Sequence, residues 1–140
     1  VASALAARTI RYAHFQPGRL DQPQRAAALA FKSTVEGLTN GRLRVEVFPA
    51  GQLGPAPQVM EQLRLGSLEM AVVHDGGIAG TYAPYQVFSM PFLWENQGIA
   101  WKVLDGPFGA EMAADMQRRA NIRLLGHADN GVRHITNNRR

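Results

Sequence analysis

Apolar and polar positions along the chain follow two periods, and the switches between them predict its elements. Residues 9–15 are short and rich in β-formers, which predicts a first strand that Gln16, Pro17 and Gly18 break. Asp21 offers an N-cap, and Pro23 suits the first turn of a helix, where its missing N–H would be unpaired anyway. Ala27, Phe31, Val35 and Leu38 then lie on one helical stripe, which Asn40 and Gly41 stop. Leu43, Val45 and Val47 alternate with Arg44, Glu46 and Phe48, a second strand. Residues 49–55 read as a loop, followed by a helix to about Leu65 with Val59, Met60 and Leu63 inward and Gly66 just past its end. Within 68–74, Met70, Ala71, Val72 and Val73 form the continuous apolar run of a strand buried on both faces.

Strand, helix, strand, helix, strand in that order predicts an α/β fold with a mostly parallel sheet flanked by helices. Past Gly80, residues 87–94 are apolar but contain Pro91, so they read as an edge or bent strand. Asn96 caps a helix carrying Ile99, Ala100, Val103 and Leu104, closed by Gly106, and Pro107 opens another with Phe108, Met112 and Met116 spaced by four. Residues 122–128 and 132–136 read as two strands separated by Asp129, Asn130 and Gly131. Residues 1–8 are small and apolar, read as the remnant of an export signal or a disordered start. The close on Asn137, Asn138, Arg139 and Arg140 directly after a strand reads as an interruption.

Composition changes this picture little. A chain of 140 residues with 46% apolar and 19% charged positions is an ordinary globular domain. No apolar run approaches the roughly 20 residues of a membrane span. Without cysteine there is no thiol nucleophile, thiolate metal site or disulfide. Charge is uneven. Residues 1–116 hold nine Lys/Arg against ten Asp/Glu, whereas 117–140 hold six Arg against Asp129 alone. Those arginines are interleaved with apolar residues and no nucleic-acid motif accompanies them, so they read as a solvated or covered surface and not as a nucleic-acid site.

Ligands of open α/β sheets bind beyond the carboxyl ends of the strands. His14 ends the first strand, and His74, Asp75, Gly76 and Gly77 follow the third, so the two histidines share one rim. Imidazole there either hydrogen-bonds a carboxylate or hydroxyl of a ligand, or is satisfied within its own turn. Arg133 lies in an otherwise apolar strand, and its guanidinium fork matches a carboxylate. By pattern alone it reads as the exposed alternate of a half-buried strand. Enzymatic readings are poor. No serine occupies a Gly-x-Ser-x-Gly turn, and adjacent His74 and Asp75 cannot both face one reacting atom. His14, His74, His127 and His134 lack helical zinc spacing, and residues 51–54 lack the Lys-Ser/Thr of a phosphate loop.

Four segments carry a resemblance: VEVFPAGQLG at 45–54, EQLRLGSLEM at 61–70, VFSMPFLW at 87–94 and NGVRHITNN at 130–138. In order and spacing they resemble the solute-binding proteins of tripartite ATP-independent periplasmic (TRAP) transporters, of the dicarboxylate-binding DctP type. The similarity runs from Ile10 to Arg140. It implies a type II periplasmic-binding-protein fold with two lobes that close on a small organic acid and deliver it to the membrane permease subunits, in the periplasm and without a cofactor. Residues 9–128 would form the first ligand-binding lobe, and 129–140 the start of a crossover towards a second lobe missing from this chain. The resemblance implies that Arg133 helps hold the carboxylate, that His14 is a polar first-strand contact, and that His74 and Asp75 sit where a polar or acidic contact follows the third strand. Gly77 departs from members carrying a basic contact there. Family members place the principal carboxylate-clamping arginine in the second lobe, so the expectation is a receptor lobe that binds weakly alone. The alternative is a non-transport interaction domain that persists as a homodimer through an exposed edge strand.

Overall fold

The structure, a computed structural model, describes residues 8–128. Three parallel strands stand in the order β2-β1-β3: β1 (Arg8–Ala13), β2 (Leu43–Phe48) and β3 (Met70–Ala71). Between them run α1 (Pro23–Leu38) and α2 (Ala56–Leu65), as the alternating periods predict. After β3 come α3 (Asp75–Ala79), a 3-10 helix (Ala83–Ser89), α4 (Gln97–Leu104) and α5 (Pro107–Ala120).

Alternation along the strands divides the core in two. Ile10, Tyr12, Val45, Val47, Met70 and Val72 face α1, where they meet Ala28, Phe31 and Val35. Ala13, Phe15, Ala71 and Val73 gather with α2's Val59 and Leu63 and with Leu68. The outer side of α2 then carries Met60 into a third cluster with Ile78, Tyr82, Tyr85, Met112, Met116 and Ala120. The order is therefore α1, sheet, α2, and then the later helices.

Side chains take up the outer edge of β2 and the part of β1 that short β3 does not reach. Glu36 accepts the amide of Val45 at 2.9 Å while Lys32 donates to the Val45 carbonyl at 2.8 Å, so α1 covers the outward edge of β2. On the other side of β1, Glu69 accepts the Arg11 amide at 2.9 Å and pairs with the Arg11 guanidinium just before β3 begins.

Several elements match expectation closely. Strand β2 has the expected bounds, Gly66 ends α2 at φ 72, and Asn96 Oδ1 accepts the Ile99 amide at 3.0 Å as the cap of α4. Helix α5 begins at Pro107 and buries Met112 and Met116. The rest differs for physical reasons. The stripe of α1 is centred on Ala28, Phe31 and Val35, leaving Leu38 80% exposed, because Lys32 and Glu36 are turned to the β2 edge. Gln22, not Asp21, is the N-cap residue, and Asp21 pairs with Arg19. Residues 87–94 are no strand: Pro84 suits a 3-10 turn, which ends at Ser89, and Pro91 cannot donate to a ladder. Strand β3 is only two residues long and half-buried, since no described strand lies beyond it. Residues 122–128 likewise form no strand. Ile122 and Leu124 instead pack on the α5 cluster. The expected strand at 132–136 lies outside the described residues.

Candidate functional site

Parallel strands deliver their carboxyl ends to one rim, and here the three loops leaving β1, β2 and β3 meet there. Backbone bonds stitch them together. His14 donates to the Phe48 carbonyl at 3.0 Å, Gly51 to His14 at 3.1 Å, Ala50 to Gln16 at 3.0 Å and Val72 to Ala13 at 2.9 Å.

His14 follows directly on β1 and has no exposed surface. Among the described residues neither ring nitrogen has a well-formed hydrogen bond, the Gln16 backbone being the polar group beside the ring. Burial, and then the charge of Arg25, hold it below the ordinary histidine value, with the Gln16 backbone opposing. The ring is therefore neutral at pH 7, with one donor and one acceptor nitrogen.

His74 sits in the open, at the start of α3. Its Nδ1 accepts the Gly77 amide at 3.0 Å, which caps the helix and puts the proton of the neutral ring on Nε2. Phe15, the neighbour of His14 in the chain, meets the His74 ring edge-on at 6.2 Å. The two histidines thus share the rim, as the strand order implies, one beneath it and one upon it.

Asp75 is the first residue of α3 and accepts from the Ser89 hydroxyl at 2.8 Å. Burial, the largest single influence, opposes its ionisation. The Ser89 hydroxyl, the Gly76 amide and the adjacent His74 outweigh burial and hold the carboxyl below its ordinary range. Its charge in turn adds to burial in pushing the Tyr85 phenol up to about 12. Ser89 donates to Asp75 and not to a histidine, so this contact activates no nucleophile.

Gly77 closes the corner. A Cβ there would lie 2.7 Å from Ala56 Cβ and 2.8 Å from Val73 Cγ1, so no side chain fits and no basic contact arises at this position. Arg133 and His134 lie outside the described residues. His127 stacks on Tyr85 at 6.2 Å, beside the cluster that α5 joins. Among the described residues no group of three or more His, Asp or Glu is placed to hold a metal. The hollow lined by Lys32, Glu36, Gly41 and Arg44 lies at the amino end of β2, at the far end of the sheet.

One rim residue escaped sequence reasoning. Arg25 lies in the first turn of α1, and its buried Nε has no hydrogen-bond partner among the described residues. A cation where the helix dipole favours anions was the available signal.

The chain matches the family described as bacterial extracellular solute-binding protein, family 7 (DctP), over residues 14–140. It is 29% identical, over 98% of its length, to the 2,3-diketo-L-gulonate-binding periplasmic protein YiaO of Escherichia coli, and it covers 41% of that protein. Among solved structures it resembles the sugar acid binding protein DctPAm of Advenella mimigardefordensis in complex with galactonate. That likeness has a TM-score of 0.75 and 32% identity, and covers 82% of this chain and 36% of the other. A TRAP periplasmic solute-binding protein of Xanthobacter autotrophicus with bound β-D-galacturonate gives a TM-score of 0.71 at 32% identity, over 79% and 36% of the two chains. The chain therefore belongs to the DctP family of solute-binding proteins and has the fold of a TRAP receptor lobe. It spans about two fifths of the length of these relatives.

Proposed function

We propose that this member of the DctP family supplies one face of the solute-binding cleft of a TRAP receptor for a small organic acid, acting in the periplasm with membrane permease subunits and catalysing nothing. The observation that carries the reading is the rim at the carboxyl ends of β1, β2 and β3. There His74 presents its outer nitrogen, Asp75 an ionised carboxylate, and His14 a neutral ring beneath. Relatives binding galactonate and galacturonate make a sugar acid the favoured solute class. His74 and Asp75 suit its hydroxyls, and Arg133 its carboxylate. No helix among the described residues is long and apolar enough to cross a membrane, which accords with a receptor that meets its permease from outside the bilayer.

A cleft that closes on its ligand needs two lobes. One rim alone offers part of the contacts, so the 140-residue chain binds D-galactonate weakly. Isothermal titration tests this. Weak saturable heat with galactonate and none with the neutral galactitol is expected, whereas tight binding by this chain alone contradicts the half-cleft reading.

A second reading has one observation in its favour. Val72 turns its amide to β1, so the backbone of Ala71 and Val73 points to the open side of β3, with no described strand beyond. An edge of this kind accepts a strand from a second copy, giving a homodimeric interaction domain. Light scattering after size exclusion separates the two: a stable dimer favours this reading, a monomer the receptor lobe.

A further inference from the structure

Fully buried His14 and half-buried Arg25 lie on adjoining elements, and neither the imidazole nitrogens nor the buried Arg25 Nε has a well-formed hydrogen bond among the described residues. Gln16 and Gln24 fix their relation. Gln16 Oε1 accepts the Gln24 amide at 3.0 Å, and Gln24 Oε1 accepts the Gln16 amide at 3.4 Å, so the start of α1 is tied to the exit of β1. Arg25 stands three residues before Ala28, which is fully buried against the sheet. It therefore lies on the sheet-facing side of the first turn, near enough for its charge to be felt at the His14 ring.

The acidic groups of α1 and of the loop before it are already committed, and Asp75 on the rim accepts from Ser89. Asp21 pairs with Arg19, Glu36 with Lys32, and the first turn of α1 contains no acidic residue. Arg25 enters none of the ion pairs among the described residues, although its Nε is buried. A partly buried guanidinium without a counter-ion is unfavourable, and the positive end of α1 adds to the excess of positive potential. His14, being neutral, adds nothing to that excess. Among the described residues the corner is thus electropositive and without a paired anion.

We propose that Arg25 is a solute-anchoring residue that takes a carboxylate oxygen of the bound acid, with His14 as the neutral positioning residue beneath it. This rests on the receptor reading and adds a second cationic contact to it. The side chain of Arg25 keeps part of its surface exposed, as a contact residue must, while fully buried His14 serves as the floor.

Nitrogen-15 NMR of the 140-residue chain tests this with D-galactonate as the probe and galactitol as the neutral control. The Arg25 Nε–H signal and the amides of Gly51 and Gly77 shift with galactonate and not with galactitol. Arg25→Gln weakens the apparent affinity about tenfold, the loss expected for one charge-assisted hydrogen bond. Arg42→Gln, which removes an equal charge at the far end of α1, leaves it unchanged. If Gly51 and Gly77 respond equally well in Arg25→Gln, the proposal is overturned and the receptor reading stands. If neither amide responds to galactonate in the unmodified chain, the receptor reading falls and this proposal with it.

Discussion

The Glu36 carboxylate accepts the outward-facing amide of Val45 at 2.9 Å, and so stands where a neighbouring strand would otherwise pair. Lys32, one turn earlier, takes the carbonyl of the same residue. Two side chains of α1 thus close the β2 edge that an exposed strand would present to other molecules. That hydrogen bond is the chief cause holding Glu36 below its ordinary carboxylate value. Its contribution is complete above the unfolded value near 4.5 and is lost as pH falls through the lower native value. Glu36→Ala is expected to lower Tm by a few degrees at neutral pH and to raise self-association. Thermal melts and light scattering check this, and the difference in Tm from the unmodified chain should vanish in strong acid.

Gly77→Ala tests the corner after β3. The new methyl group meets Ala56 and Val73 at under 3 Å, so α3 must shift and the His74 cap with it. A loss of about 1–3 kcal/mol is expected from overpacking. Chemical denaturation measures it, and an unchanged midpoint contradicts the close packing described.

Met116, 1% exposed, fills the cluster between α2 and α5. Met116→Ala removes most of that side chain and is expected to cost about 2–5 kcal/mol, by lost burial and the cavity left behind. Urea unfolding with an unchanged slope gives the value. A cost below about 1 kcal/mol places α5 off the core.

His14 predicts a pH dependence. Its native value lies below the ordinary 6.5, so the unfolded chain binds more protons than the native one as pH falls. Stability is therefore full above about 6.5 and declines as pH drops from there to the native value. An NMR titration of the His14 ring should give a midpoint below 6.5, and His14→Gln should flatten this part of the stability profile. A midpoint at or above 6.5 contradicts the buried, neutral ring.

The sequence was most legible where local chemistry decides the outcome. Alternation at Leu43, Val45 and Val47 gave β2, while Gly66, Asn96 and Pro107 marked helix ends that the structure reproduces. It was least legible where a partner elsewhere decides. Residues 122–128 have a strand's composition, but a strand exists only beside another, and none is described there. Leu38 fits the apolar stripe of α1, yet the pull of Lys32 and Glu36 towards Val45 turns it to solvent. At the site, strand ends alone located His14 and His74. The burial that separates their environments depends on loops from β2 and α1, which no spacing within either motif records. Arg25 shows the same limit: its isolation is a property of its neighbours' pairings.

The central claim is that the rim at the carboxyl ends of β1, β2 and β3 is the solute face of a receptor lobe. Mapping backbone amide shifts of the 140-residue chain during titration with D-galactonate tests it most directly. The account predicts that the responding amides cluster at 14–18, 49–52 and 74–78. Responses centred instead on the opposite end of the sheet, around 39–43 and 66–69, would contradict it.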